Sequence, residues 1–127
     1  MKLPTGASRV VFIFALPAGH YTPDFKDQGL DWHTVPLDVE PRHLAEAIRP
    51  LAKSSSVAGI NLIMLHKPAA FELCDEVGAA AKFEGVVNTI RTEWLVDDSF
   101  DGAGFLDAAR EAGVFDPGRG CVVIGAG

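Results

Sequence analysis

Residues 58–68 read AGINLIMLHKP, and this stretch decides the fold prediction. Its first seven residues, apolar apart from Asn61, predict a buried β-strand. Pro68 follows almost at once, and proline is favoured in the first turn of a helix. The helix predicted there has its apolar positions at Ala70, Leu73, Cys74, Val77 and Ala81. A strand, a tight loop and a helix in this order are typical of an α/β fold.

The same alternation precedes this stretch. Residues 10–16 are continuously apolar and β-prone, which is typical of a strand buried on both faces of a parallel sheet. Residues 32–37 predict a second short strand. Pro41 supplies the start of a helix, and Pro50 is expected to end or kink it. The apolar face predicted for this helix consists of Leu44, Ile48 and Leu51.

The alternation continues towards the carboxyl terminus. Residues 86–91 and 94–96 predict two shorter strands, and Asp101 opens a further helix. The stripe of apolar residues on that helix comprises Phe105, Ala108, Ala109 and Ala112. The whole pattern predicts an α/β domain, a three-layer αβα sandwich with a mostly parallel sheet and helices on both faces.

The last residues suggest a second structural unit. After a break at Pro117 and Gly118, residues 121–124 predict a buried strand that leads into Gly125, Ala126 and Gly127. A strand followed by closely spaced glycines can open the turn that seats a dinucleotide pyrophosphate, although a frayed glycine-rich tail explains two glycines equally well. We therefore expect one domain over residues 1–116, with residues 117–127 beginning a nucleotide-binding domain.

Composition excludes several classes of protein. The chain has 127 residues, a formal net charge of -6 and 48% hydrophobic residues, which favours a folded domain and argues against a nucleic-acid partner. Its longest apolar runs fall well short of the roughly 20 residues that a membrane helix needs, so we expect a cytoplasmic protein without membrane contact. Cys74 and Cys121 lie far apart, and the histidines lack the spacing of metal ligands. No metal site or disulfide is predicted.

Four polar residues are candidates for chemistry. Lys67 lies at the start of a predicted helix, where the macrodipole disfavours positive charge, so it is either a functional group or a solvated surface lysine. Asp101 fits an ordinary helix N-cap as well as a catalytic role. Asn61 and Asn88 stand at the predicted carboxyl ends of strands, where ligands bind in α/β sheets, but turn or cap roles are equally open.

Four segments in order resemble motifs of the shikimate/quinate dehydrogenase family. Residues 59–67 resemble Gly-x-Asn-Val-Thr-x-Pro-His-Lys, and residues 87–89 match Val-Asn-Thr. Residues 101–105 resemble Asp-Gly-x-Gly-Phe, and residues 123–127 are similar to the start of the cofactor loop. The resemblance extends over nearly the whole chain, and four ordered motifs are far more specific than one.

The resemblance implies a substrate-binding domain and assigns its residues. Lys67 and Asp101 would be the catalytic pair, Thr22, Asn61 and Asn88 would bind substrate, and Gly125 and Gly127 would contact the cofactor. The family oxidises a hydroxyl of a cyclic hydroxy acid reversibly with NADP or NAD, converting shikimate to 3-dehydroshikimate in chorismate and aromatic amino acid biosynthesis. A homodimer is also possible. Because only the start of the cofactor loop is present, we expect this chain alone to be inactive. The alternative is a stand-alone or inactive module that binds a small carboxylate.

Departures from the family pattern bear on the substrate. The Ser-x-Ser-Pro expected after the first strand is absent, and His20-Tyr21-Thr22-Pro23 stands in its place. Ile63 replaces a threonine of the signature, and Ser99-Phe100 replaces the Asn-Thr before Asp-Gly. These changes make the predicted site more apolar and weaken the hydrogen bonding of a trihydroxy acid. The exact substrate, and the choice between NAD and NADP, stay open.

Overall fold

The computed structural model describes residues 5–14, 25–92, 96–115, 117–118 and 120. Its strands are β1 (Arg9–Phe14), β2 (Trp32–Leu37), β3 (Val57–Leu62), β4 (Glu76–Val77), β5 (Thr89–Arg91) and β6 (Val96–Asp98). Its helices are α1 (Leu44–Ala52), α2 (Lys67–Phe71), α3 (Ala79–Glu84) and α4 (Asp101–Glu111). Short 3₁₀ turns at Pro41–His43 and Met64–His66 lead into α1 and α2.

In the described part of the chain the strands form one sheet in the order β2-β1-β3-β5-β6-β4. Strand β1 pairs in parallel with β2 and with β3, and β4 pairs in parallel with β6. Strand β5 runs antiparallel to both of its neighbours, β3 and β6. All the other strands of this sheet therefore point the same way, which confirms the prediction of an α/β fold with a mostly parallel sheet.

The main hydrophobic core lies between the sheet and helices α1, α2 and α3. Its buried members are Phe14, Leu44, Ile48, Ile60, Leu62, Ala70, Ala81, Val87 and Ile90. Because side chains alternate along a strand, Val11 and Ile13 of β1 point to the opposite face, where they are also buried. Full burial of each large aliphatic side chain stabilises the fold by about 1.5–3 kcal/mol.

The prediction of a single helix with apolar positions from Ala70 to Ala81 is wrong. Strand β4 interrupts it and pairs with β6, so α2 and α3 are separate helices. The second of these helices begins at a close approach: an added Cβ at Gly78, the N-cap of α3, would lie 2.4 Å from the carboxyl group of Asp98. Asp98 Oδ1 in turn accepts a hydrogen bond of 3.1 Å from the amide of Ala81 in the first turn of α3. A tertiary contact thus fixes the start of α3.

Helix α4 forms where the sequence predicts it, but its apolar stripe is not part of the core. No residue of Asp101–Glu111 is buried, and Phe105 is 72% exposed. Among the residues that the structure describes, no helix is long and apolar enough to cross a membrane. The predicted strand at 121–124 lies outside the described residues, so the domain boundary near Asp116 stays a prediction.

Candidate active site

The carboxyl end of β3 leads directly to Lys67. Ile63 keeps the extended conformation of the strand, with φ -113° and ψ 143°, and its amide donates a 3.2 Å hydrogen bond to the carbonyl of Phe14. Met64 then adopts a φ of 44°, which is uncommon for a residue with a side chain. This tight turn brings Lys67, the first residue of α2, back beside the end of the sheet.

Lys67 and Asp101 form an ion pair although they lie far apart in sequence. The Lys67 ammonium donates a hydrogen bond to Asp101 Oδ2. The Lys67 side chain is 23% exposed and that of Asp101 is 64% exposed, so the pair is open to solvent on one side. Asp101 is the first residue of α4 and Phe100 is the N-cap, so the interpretation of Asp101 as an ordinary N-cap is wrong. Its carboxylate binds Lys67 instead.

The surroundings of Asp101 favour its charged form. The hydrogen bond from Lys67 is the largest cause, and it holds the pKa of Asp101 below its ordinary value. Partial burial opposes this shift, whereas the positive charge of Lys67 and a hydrogen bond with Asn88 support it. Asp101 is therefore a carboxylate at neutral pH.

Asn88 links the strands to this pair. It is 8% exposed, and its Oδ1 accepts hydrogen bonds of 3.3 Å from the amide of Phe100 and 3.1 Å from Thr89 Oγ1. Its carbonyl accepts a 2.8 Å hydrogen bond from the amide of Leu62 at the end of β3. The prediction that Asn88 lies at the carboxyl end of a strand is wrong, because it directly precedes β5. It reaches the same edge of the sheet because β5 runs antiparallel to β3.

Asn61 lies at the same edge of the sheet. It is half-buried, is the penultimate residue of β3, and pairs in register with Thr89, the residue after Asn88. The structure thus gathers Asn61, Lys67, Asn88 and Asp101, four of the predicted site residues. Their roles in binding and catalysis stay predictions. Thr22, Gly125 and Gly127 lie outside the described residues.

Two supporting residues were missed by the sequence analysis. Ser99 is 2% exposed, and its hydroxyl donates to Glu84 Oε2 at the end of α3. The same carboxylate lies against the first turn of α4, where a Cβ added to Gly102 would be 2.9 Å from Glu84 Oε1. These contacts fix the start of α4 and hence the position of Asp101. A lone glutamate at a helix end carries no sequence signal for such a contact.

His66 packs rather than contributing to the ion pair. Its side chain is 7% exposed, and its ring lies edge-on against Phe14 with a centroid distance of 6.3 Å. Among the described residues its Nδ1 has no hydrogen-bond partner. These contacts fit a local packing role beside Lys67.

The chain of this α/β domain matches a known family of substrate-binding domains. Residues 17–90 match the family described as the shikimate dehydrogenase substrate binding domain. The NADP(+) shikimate dehydrogenase of Methanopyrus kandleri is 42% identical over 106 residues, covering 81% of this chain and 36% of that protein. That of Rubrobacter xylanophilus is 37% identical over 131 residues, covering 96% of this chain and 46% of that protein.

Solved structures agree with the fold. A shikimate dehydrogenase crystallised with NADP+ is 27% identical, with a TM-score of 0.75, over 86% of this chain and 40% of that one. The Listeria monocytogenes enzyme, solved with shikimate and NAD, has a TM-score of 0.76 at 24% identity, which supports the fold alone. The chain belongs to the shikimate dehydrogenase substrate-binding domain family, and it spans less than half the length of the curated relatives named above.

Proposed function

We propose that this domain binds a cyclic hydroxy acid of the shikimate or quinate type and supplies Lys67 and Asp101 to its NAD(P)-dependent oxidation. The observation that carries the proposal is the Lys67–Asp101 ion pair at the carboxyl edge of the sheet, beside Asn61 and Asn88. Relatives of this chain are NADP(+) shikimate dehydrogenases, which supports the same substrate class.

The chemistry requires a group that exchanges a proton with the substrate oxygen. In the direction of carbonyl reduction, the Lys67 ammonium donates a proton to that oxygen, and in the direction of alcohol oxidation its neutral amine accepts the hydroxyl proton. Asp101 accepts one N–H of Lys67 and so orients the others. Asn88 helps to lower the pKa of Asp101, and its Oδ1 accepts a hydrogen bond from the amide of Phe100, the residue before Asp101.

The nicotinamide cofactor, when bound, supplies the hydride acceptor for alcohol oxidation. Gly125 and Gly127, the residues predicted to contact it, lie outside the described part of the chain. Substrate binding and proton exchange are therefore the part of the reaction that the described residues can perform.

Calorimetric titration of the purified chain with shikimate and with quinate tests the proposal. Lys67→Ala should weaken binding at least tenfold, because a hydrogen bond to a charged group contributes about 1.5–3 kcal/mol. Lys53→Ala is the matched control, since Lys53 is an exposed lysine that follows α1 at the opposite edge of the sheet. Equal affinities of the wild type and Lys67→Ala would remove Lys67 from the site. Absence of binding to both acids would refute the substrate class.

A further inference from the structure

A cavity of about 250 Å³ opens at the edge of the sheet opposite to Lys67. Arg9 begins β1, residues 53–56 connect α1 to β3, and Thr92 follows β5. Since β5 runs antiparallel to β3, these three segments meet where the parallel strands begin. The cavity is therefore separate from the candidate active site. The residues that line it are Arg9, Ala52, Lys53, Ser54, Ser55 and Thr92.

Arg9 contributes a positive charge whose position is restrained. Its Nη2 donates a 3.1 Å hydrogen bond to the carbonyl of Val57, and its guanidinium lies 5.5 Å from the centroid of the Trp32 ring. Thr92 is 4% exposed, and its hydroxyl donates a 2.6 Å hydrogen bond to the same carbonyl. A guanidinium carries five N–H donors, so it can hold this carbonyl and an anion at the same time.

Lys53 adds a second positive charge to the lining. It is the C-cap residue of α1, and a cation there interacts favourably with the partial negative charge at the end of the helix. That interaction accounts for a lysine at this position, but not for Arg9, Ser54 and Ser55 at the same cavity. The chain carries a formal net charge of -6, yet none of the described residues that line the cavity is acidic. The lining therefore has the charge and the hydroxyl groups of an anion-binding site.

We propose that this cavity binds a phosphate group, at a site that the proposed oxidation does not use. A guanidinium and an ammonium together match the charge of a phosphate, and the fork of a guanidinium can bind two of its oxygens at once. Serine hydroxyls can donate further hydrogen bonds to the remaining oxygens. The cavity is smaller than the roughly 300–1,000 Å³ of most sites for drug-sized ligands, so it suits inorganic phosphate or a small phosphate monoester.

Nuclear magnetic resonance titration of the isotopically labelled chain with inorganic phosphate tests the proposal. The amide signals of Ser54, Ser55 and Thr92 should shift and reach saturation, whereas sodium chloride at equal ionic strength should not reproduce the shifts. Lys53→Ala should weaken phosphate binding about two- to fivefold, the range expected for one exposed ion pair. Methyl phosphate, titrated in the same way, distinguishes the two sources: tighter binding than inorganic phosphate assigns the site to a monoester, and weaker binding assigns it to the free anion.

Lys82→Ala is the matched control for the loss of Lys53. Lys82 is also an exposed lysine near the end of its helix, α3, and does not line the cavity, so its variant should keep the wild-type affinity for phosphate. Shifts that chloride reproduces, shifts that never saturate, or equal affinities of Lys53→Ala and wild type would overturn the site. The proposed function fails or stands separately, because the shikimate titration reports on Lys67 at the opposite edge of the sheet.

Discussion

Helices α1 and α4 both carry apolar residues at helical spacing, yet they are attached to the domain in different ways. Helix α1 buries Leu44 and Ile48 in the main core. Helix α4 buries none of its side chains, and Asp101 at its start binds Lys67. The comparison teaches that apolar spacing predicted both of these helices but did not show what covers them. One helix contributes stability, and the other positions a charged group.

The largest expected loss of stability concerns α1, the helix that buries Leu44 and Ile48 in the core. Ile48→Ala should lower the free energy of unfolding by about 2–5 kcal/mol, because Ile48 is 1% exposed and the substitution leaves a cavity. Urea denaturation monitored by circular dichroism measures the change. Phe105→Ala on α4 is the control and should change stability by less than about 0.5 kcal/mol. Similar losses of unfolding free energy for the two variants would contradict the conclusion that α1 contributes to stability and α4 does not.

An intermediate effect is expected where α4 begins. Ser99→Ala removes the hydrogen bond to Glu84, and we expect a loss of about 1 kcal/mol because Ser99 is buried. Hydrogen exchange should quicken for the amides of α4 while those of α1 keep their protection. Ser55→Ala, in the exposed loop before β3, is the matched control. Uniformly faster exchange in both helices would mean that Ser99 supports the whole domain rather than the start of α4.

The smallest expected effect concerns pH. The pKa of Asp101 is lowered in the folded chain by the hydrogen bond from Lys67, so its stabilising contribution is present above its unfolded value of 3.8. That contribution disappears as the pH falls through the lower folded pKa. For an exposed pair it amounts to about 0.2–1 kcal/mol. Asp101→Asn should therefore be less stable than wild type at pH 7, and the difference should shrink in acid.

The control for this titration lies on the same helix. Asp107→Asn removes the carboxylate that pairs with Arg110 at the surface, away from Lys67. Its stability difference from wild type should be smaller than that of Asp101→Asn at neutral pH. A gap between Asp101→Asn and wild type that grows as the pH falls would contradict the assigned direction of the shift.

The long parallel strands were predictable from sequence. Strand β2 begins and ends at the predicted residues, β3 differs from prediction only at its ends, and β1 begins one residue before the predicted start. Each is an apolar or β-prone run of six residues, long enough for the pattern to stand out from its surroundings. Strand β4 has only two residues and exists through its pairing with β6, so no local pattern could reveal it.

Part of the candidate active site was also predictable, from helix starts and motif resemblance rather than from strand patterns. Lys67 and Asp101 stand at helix starts that the sequence marks, and motif resemblance singled them out as a pair. The direction of β5 could not be predicted, because an antiparallel strand of three residues has the same composition as a parallel one. The prediction that Asn88 lies at this edge of the sheet was correct, although the prediction of its place on the strand was wrong. Glu84 and Ser99 meet only in the tertiary structure.

The strand order also bears on how quickly the domain folds. Strand β1 pairs in parallel with both β2 and β3, and parallel partners must be joined by a crossover rather than a short turn. Each of these pairings requires a long loop to close. The chain loses entropy on closure before the new contacts compensate for it, and this loss slows folding. The antiparallel pairing of β5 with β6 joins nearby residues and can form early. The candidate active site lies where this local pair meets β3, so its polar groups assemble only when the slow central pairing is complete.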